Sequence, residues 1–292
     1  AEILLESHEC CNLSEIYLNN IESKSELKKC AKLLYKTQKA ICALPFIHKQ
    51  TEEVVHRNMR IGVGVTGICQ SLNKIDWLDD CYVSLKEFDE EWSKRKGYPT
   101  SIRLTTVKPS GTLSLLSGST PGVHPAYANH FIRRVRMSSN DELVDVCREA
   151  NYPVEYARRF DGTEDHSTVV VEFPCHINGR TILAEDMSAV RQLELVKELQ
   201  TKWSDNSVSV TVYYRLEELD EIKEWLSNNY ETSLKTVSFL LHNDHGFDQA
   251  PYEEISKEDY EKRVSKLKEI KKVSSGEVLS ELECAGGACP IK

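Results

Sequence analysis

The chain has 292 residues, of which 40% are hydrophobic and 28% charged, and its formal net charge is −9. This length and apolar content allow one large α/β domain or two smaller ones. The acidic balance argues against a protein that coats nucleic acid. No apolar run approaches the roughly 20 residues that a helix needs to span a bilayer. We therefore expect no membrane segment and no direct nucleic-acid binding.

The hydrophobic periodicity predicts helices that alternate with strands along most of the chain. Ser23 and Glu26 form a capping-box pattern ahead of the first helix. In chain order, the predicted elements are a helix over 23–43, a helix over 80–95, a strand over 102–107, a helix over 140–149, a strand over 169–173, a helix over 186–203, a strand over 208–213, a helix over 216–228, a strand over 236–241 and a helix over 257–272. This alternation implies βα units and a mainly parallel sheet, open or closed into a barrel.

A glycine motif, Gly62-Val-Gly-Val-Thr-Gly67, has the spacing G-x-G-x-x-G. The motif binds a dinucleotide where it follows a strand, opens a helix and has an acidic residue about 20 positions further on. No clean strand precedes Arg60, and the acidic residues at 76–80 lie too close. Close packing of the backbone at a turn is the competing interpretation, and the pattern favours it.

A second small-residue segment, Lys108-Pro-Ser-Gly-Thr-Leu-Ser114, follows a predicted strand and precedes an apolar run. Unsatisfied N–H groups at a helix N-terminus suit a phosphate group, and Ser110, Gly111 and Thr112 would supply the donors. An ordinary capped helix start explains the same residues equally well. The pattern alone leaves both interpretations open.

For two further polar features, a structural interpretation is favoured over a functional one. His124 lies in the turn-like segment Thr120-Pro-Gly-Val-His-Pro125, where it either faces an anion or caps the turn, and the turn is favoured. A basic run contains Arg133, Arg134 and Arg136. A solvated face is the favoured explanation for it, and anion binding is the second.

The chain has ten cysteines, most of them single within predicted helices or strands, which is typical of a cytoplasmic protein with a few working thiols. In the vicinal pair Cys10–Cys11, we expect one thiol to be packed and the other to face a cleft. Cys284 and Cys289 flank two glycines at a terminus without a core, which predicts a mobile dithiol carrier. A zinc site is the alternative, but structural zinc needs four ligands, and no metal ligands are predicted.

Four stretches, in family order, resemble adenosylcobalamin-dependent ribonucleotide reductases. They are Ala1-Glu-Ile-Leu-Leu-Glu-Ser-His-Glu-Cys-Cys-Asn-Leu-Ser-Glu15, then Thr105-Thr-Val-Lys-Pro-Ser-Gly-Thr-Leu-Ser114 with Pro121-Gly-Val-His-Pro125, then Trp203-Ser-Asp-Asn-Ser-Val-Ser-Val-Thr-Val212, and the terminal Cys-x4-Cys. The chain is most similar to the monomeric class that reduces ribonucleoside triphosphates. The resemblance implies the later part of a ten-stranded α/β barrel over 1–271 and a flexible redox-shuttle tail over 272–292.

The same resemblance implies roles for individual residues. The radical-bearing cysteine would lie immediately before Ala1, Glu2 would be the essential glutamate, and Cys11, not Cys10, would be one half of the substrate-reducing pair. The phosphate of the substrate would be held by Pro109, Ser110, Gly111 and Thr112. Cys284 and Cys289 would re-reduce the active-site pair. The partner of Cys11 would belong to the N-terminal portion of the enzyme.

The implied reaction needs adenosylcobalamin as cofactor, a ribonucleoside triphosphate as substrate, thioredoxin as reductant and the N-terminal portion as partner. Glu2 would act as general base, and the active-site disulfide would be reset by thiol–disulfide exchange. A split gene or a protein-splicing element would explain the start of the chain, and we expect the chain alone to be inactive. The alternatives are a nicotinamide-dependent thiol oxidoreductase built on the segment 62–67, a fragment that folds only with its other half, and a zinc module that uses the tail cysteines.

Overall fold

The computed structural model describes residues 2–159, 161–177, 179, 181–242 and 248–270. Within these residues, no helix combines the length and the apolar character that crossing a membrane requires. The strands and α-helices, in chain order, are β1 Leu13–Tyr17, α1 Lys24–Cys42, α2 Lys49–Asn58, β2 Gly62–Thr66, α3 Asp76–Lys96, β3 Thr105–Thr106, β4 His130–Ser138, α4 Glu142–Glu149, β5 Val154–Arg158, β6 Glu164–His176, α5 Ala189–Lys202, β7 Thr211–Tyr214, α6 Leu219–Ser233, β8 Ser238–Leu241, β9 Tyr252–Glu254 and α7 Lys257–Val264.

The chain divides into two compact units, Ala1–Asn129 with Ile177–Asp244, and His130–His176 with His245–Lys292. In the first unit, β1, β2 and β3 form a parallel sheet, and β7 pairs in parallel with β8. An isolated parallel bridge between Val107 and Val208 links the two sheets. Five short parallel strands with helical crossovers therefore form the α/β framework that carries the candidate site.

Helices cover this parallel framework because each presents an apolar stripe to it. α1 begins after Ser23, whose Oγ accepts the N–H of Glu26, while the Glu26 carboxylate accepts the N–H of Glu22. α5 buries Leu193, Val196 and Leu199, and its C-cap Trp203 is 1% exposed. The predicted helices at both places are confirmed, with boundaries that differ by three residues or fewer.

The second unit has an antiparallel sheet in the strand order β5-β6-β4-β9. Its long hairpin-like pair β4–β6 runs in register from His130 opposite His176 to Ser138 opposite Thr168. In the basic run of this unit, Arg134 is 12% exposed and paired with Glu172, so it is not a solvated side chain. The expectation of a mainly parallel sheet is therefore wrong for this unit, although it holds for the first.

Several predicted elements are shorter than the patterns indicate. Of the segment 102–107 only Thr105–Thr106 forms a regular strand, and the strand predicted over 208–213 begins at Thr211 and ends at Tyr214. Before β7, the N–H of Ser207 bonds to the carbonyl of Glu2 and the N–H of Val208 to the Gln200 side chain. These N–H groups bond to partners outside the strand ladder, which a period of two residues cannot reveal.

Candidate active site

The segment that leads into β1 carries Glu2 and Cys11. The N–H of Ser207 donates to the carbonyl of Glu2 at 2.9 Å, which fixes the start of the segment. At its other end, Asn12 exchanges hydrogen bonds with Gln38, from Asn12 Nδ2 to the Gln38 carbonyl and from Gln38 Nε2 to the Asn12 carbonyl, both at 2.7 Å. Cys11, directly before Asn12, therefore has a backbone anchored to α1.

The structure brings Glu2 and Cys11 close enough to interact electrostatically. Partial burial raises the pKa of the Cys11 thiol, and the carboxylates of Glu2 and Glu9, with Cys10 when it is ionised, raise it further, while Arg60 lowers it. Cys10 and Cys11 are both exposed free thiols, so the expectation that one of the pair is packed is wrong. A carboxylate and accessible thiols thus share one site.

The predicted phosphate loop follows β3, but the helix after it is only a 3₁₀ turn, Leu113–Ser117. Its conformation is held from β1. Ser110 has a φ of 48°, in the left-handed region, and its Oγ donates to Glu15 Oε2 at 2.6 Å. Lys108 Nζ lies 2.5 Å from the same Glu15 oxygen, and the Tyr17 hydroxyl donates to the carbonyl of Leu113.

Glu15 is a residue of this site that the sequence did not identify. Its side chain is 2% exposed. Burial raises the pKa of its carboxyl, against the lowering effect of Lys108 and Ser110. Its Oε1 is buried without a hydrogen-bond partner among the described residues. A signal existed, because glutamate is depleted in strands and Glu15 stands between two apolar strand residues, Leu13 and Tyr17, on one face of β1.

A glycine and a histidine support the loop from the following turn. Gly122 has a φ of 56°, and a Cβ there would lie 2.1 Å from the carbonyl oxygen of Lys108. His124 is bonded through Nδ1 to the carbonyl of Pro121 at 3.0 Å, and its Nε2 accepts the N–H of Thr211 at 3.1 Å. The turn interpretation of His124 is confirmed. Burial lowers the pKa of this imidazole, and the neutral tautomer satisfies both bonds.

The glycine motif at 62–67 is not a dinucleotide-binding turn. Gly62–Thr66 is the fully buried strand β2, and two 3₁₀ turns, Ile68–Gln70 and Leu72–Lys74, separate it from α3. A Cβ at Gly62 would lie 2.5 Å from Leu13 Cδ2, and one at Gly64 would lie 2.6 Å from the carbonyl oxygen of Ser14. Close packing is confirmed as the reason for these two glycines, although it occurs inside a strand. Gly67 lies at the turn after the strand, with a φ of 75°, and a Cβ there would clash with Asn19 Oδ1.

The remaining predicted residues lie either at the exposed surface of the loop or outside the described part of the chain. Pro109 and Thr112 are exposed at the rim of the loop, and Gly111 is half-buried between them. Cys284 and Cys289 lie outside the described residues, as does the whole tail predicted over 272–292. The structure therefore brings together Glu2 with Cys11 and, through β1, the loop that follows β3.

Comparisons with known proteins bear on this arrangement. The family model described as "Ribonucleotide reductase, barrel domain" matches residues 84–240, more than half of the chain. A Dictyostelium discoideum protein named "Probable adenosylcobalamin-dependent ribonucleoside-triphosphate reductase" is 36% identical over 92% of this chain and 36% of its own length. The "Adenosylcobalamin-dependent ribonucleoside-triphosphate reductase" of Euglena gracilis is 35% identical over 95% of this chain and 38% of its own length.

A solved structure agrees with these sequence matches. The crystal structure titled as that of a B-12 dependent (class II) ribonucleotide reductase has a TM-score of 0.76 and 27% identity, covering 97% of this chain and 43% of that chain. The expected α/β barrel fold is thereby confirmed. The chain spans less than half the length of these relatives.

Proposed function

Because the chain belongs to the ribonucleotide reductase barrel-domain family, we propose that it supplies Glu2, Cys11 and the phosphate loop to an adenosylcobalamin-dependent ribonucleoside-triphosphate reductase. One observation carries the proposal. β1 begins two residues after Cys11, and Glu15 on β1 contacts Lys108 and Ser110 of the loop. A redox thiol and a loop suited to phosphate are thus joined by one short strand, as a substrate with a ribose and a phosphate chain requires.

The proposed reaction replaces the ribose 2′ hydroxyl with hydrogen. Two thiols provide two electrons and two protons and become one disulfide, while one hydrogen is delivered to C2′ and the hydroxyl leaves as water. Cys11 is one of these thiols, and the second comes from the N-terminal portion of the enzyme. Glu2 accepts the proton of the 3′ hydroxyl as general base, a role worth about 10² to 10⁴ in rate.

The phosphate chain of the substrate lies against Pro109, Ser110, Gly111 and Thr112. The Glu15 carboxylate compensates the charge of Lys108. The backbone N–H groups of Ser110, Gly111 and Thr112 are therefore the proposed donors to the phosphate. Adenosylcobalamin, when bound, supplies the initiating radical through homolysis of its cobalt–carbon bond. Thiols and a carboxylate fit such a cofactor, because these groups reduce and transfer protons but do not generate a radical themselves.

The disulfide is reset by exchange with Cys284 and Cys289, and thioredoxin reduces that pair in turn. The eight cysteines in the described part of the chain are all free thiols, which suits a reducing compartment, the cytoplasm. The chain by itself is inactive in this proposal, because the radical cysteine and the partner of Cys11 are supplied by the rest of the enzyme.

Adjacent cysteines provide a test with a built-in control. In the complete enzyme, Cys11→Ser should abolish deoxynucleotide formation even with dithiothreitol, whereas Cys10→Ser should retain most of it. Both residues are exposed free thiols, so neither substitution disturbs a core. Rapid-quench measurement of deoxynucleotide per enzyme gives the answer. Normal turnover by the Cys11 variant, or loss confined to the Cys10 variant, would contradict the assignment.

A second experiment isolates the tail. Replacing both Cys284 and Cys289 with serine should leave one turnover per enzyme and abolish further turnovers with thioredoxin. Dithiothreitol should restore them, because a small dithiol reaches the site without a carrier. In general, a flexible chain of about 20 residues has a typical reach of about 25 Å. If the double variant lacks the first turnover, or runs normally with thioredoxin, the shuttle role is wrong.

A further inference from the structure

A buried carboxylate lies two residues before Cys11. The side chain of Glu9 is 1% exposed. Its Oε1 accepts Arg60 Nε at 2.9 Å and Asn58 Nδ2 at 3.0 Å, and its Oε2 accepts the N–H of Glu6 at 2.9 Å. A carboxylate out of water is costly unless it is paired and hydrogen-bonded, and Glu9 has three such donors. The pair therefore fixes the segment just before Cys11.

The cation reaches this position through the backbone at the end of α2. The helix ends at Asn58, and Met59 follows with a φ of 42°, in the left-handed region. This reversal places Arg60 two residues before β2, with its side chain 12% exposed and in contact with Glu9. Asn58 itself holds Glu9 and Glu6 together. The end of α2 and the residues that lead into β2 thus hold the Glu9–Arg60 ion pair next to the segment before Cys11.

The charges around Cys11 act in opposite directions. Burial and Glu2 disfavour the thiolate of Cys11 most, ionised Cys10 and then Glu9 add to them, and Arg60 favours the thiolate. The thiolate is the form that attacks a disulfide or an alkylating reagent. The balance between Glu9 and Arg60 therefore bears on how readily this thiol reacts, in addition to where it lies.

We propose that Glu9 and Arg60 are positioning residues that hold Cys11 in place and set its reactivity, with Glu9 restraining the thiol and Arg60 activating it. The inference rests on the proposed function, in which Cys11 is the redox thiol of the reductase. It adds to that function a pair of residues that determine how readily the thiol reacts. With the restraint in place, Cys11 stays in the protonated form that donates hydrogen to substrate, and stray electrophiles consume it slowly.

The test measures alkylation of Cys11 by iodoacetamide in the full chain, in which the thiolate sulfur displaces iodide. A Cys10→Ser background leaves one cysteine in the labelled peptide, and mass spectrometry of timed samples between pH 6 and 10 gives the rate. At pH 7.5, Glu9→Gln should speed labelling about threefold or more. Arg60→Gln should slow it about threefold, since a charge several ångströms away changes a thiol equilibrium by roughly this factor.

Two control variants distinguish an effect of charge from an effect of disorder in the segment before Cys11. Glu6→Gln is matched to Glu9→Gln, because Glu6 belongs to the same cluster but is 51% exposed, and labelling should stay near the parent rate. Arg60→Lys keeps the charge and should preserve most of the rate. In Arg60→Gln, Asn58 and the Glu6 N–H still hold the Glu9 carboxylate.

The sign of the two effects decides the outcome. Opposite changes for Glu9→Gln and Arg60→Gln, with shifted pH profiles, support the proposal. Changes in the same direction indicate loss of structure alone and overturn it, as does the absence of any change. No nucleotide enters this assay, so its failure leaves the Cys10 and Cys11 turnover comparison intact, and the failure of that comparison leaves the labelling result interpretable.

Discussion

Asp89 offers the sharpest test of what stabilises the first unit. Its Oδ1 accepts Lys39 Nζ at 2.8 Å, the Tyr35 hydroxyl at 2.6 Å and Ser93 Oγ at 2.9 Å, and its Oδ2 accepts the N–H of Ser101 at 2.8 Å. The side chains of Lys39 and Asp89 are 0% and 4% exposed. Asp89→Ala leaves a buried ammonium without its counter-ion, so the free energy of unfolding should fall by about 3–5 kcal/mol.

The same two helices contain a matched control. Lys24 on α1 and Asp80 on α3 form an ion pair at 3.1 Å, but their side chains are 50% and 56% exposed. Asp80→Ala should therefore cost only about 0–1 kcal/mol. Urea unfolding followed by circular dichroism measures both variants. A loss for Asp89→Ala that matches the loss for Asp80→Ala would refute the reasoning about burial.

The pH dependence of the buried pair follows from the same contacts. Burial acts to raise the pKa of Asp89, but the hydrogen bonds from Lys39 and Tyr35 outweigh it and leave the pKa below 3.8. The unfolded state then binds the proton first as the pH falls. The contribution of Asp89 should be complete above about pH 4 and decline as the pH falls towards the lowered folded value, and Asp89→Ala should lack this acid dependence.

Three further predictions concern the loop supports and a helix end. Gly122→Ala should destabilise the protein by about 1–3 kcal/mol in urea unfolding, because it adds a Cβ against the Lys108 carbonyl at a positive φ; an unchanged midpoint would contradict this. The lowered pKa of His124 means that its stabilising contribution is present above pH 6.5 and is lost as the pH falls below it, since the charged ring cannot accept the Thr211 N–H. His124→Gln should flatten the unfolding free energy between pH 7 and 5, and a parent-like slope would exclude this role. Ser23→Ala should cost about 1 kcal/mol through loss of the α1 cap, and a loss below about 0.3 kcal/mol would show that the cap is dispensable.

The sequence predicted best where one periodicity governed a long segment. α1 and α5 bury apolar stripes that repeat at helical spacing, so their positions were evident. β1 was not recognised, because five residues with one buried position carry too little pattern. In the second unit only the part of β6 over 169–173 was predicted as a strand. The antiparallel pairing was missed, since strand direction depends on which remote segments pair and not on alternation within one strand.

The candidate site was predictable to the extent that it consists of adjacent residues. The loop at 109–112 and the vicinal thiols are visible as motifs. The contact of Glu15 with Lys108 and Ser110 joins residues more than 90 positions apart. Such a contact depends on the parallel alignment of β1, β2 and β3, which no local rule specifies.

The alignment of β1 with β2 fixes the number of residues that can separate Cys11 from Glu15. Leu13 lies opposite Gly62 and Glu15 opposite Gly64, where the missing side chains admit the neighbouring strand. One inserted or deleted residue between Cys11 and Glu15 would turn every later β1 side chain to the other face. The carboxylate would leave Lys108 while the thiol stayed in place. Changes of chain length in this short stretch should therefore separate the proposed reduction from the proposed phosphate binding, even where each inserted or deleted residue is individually harmless.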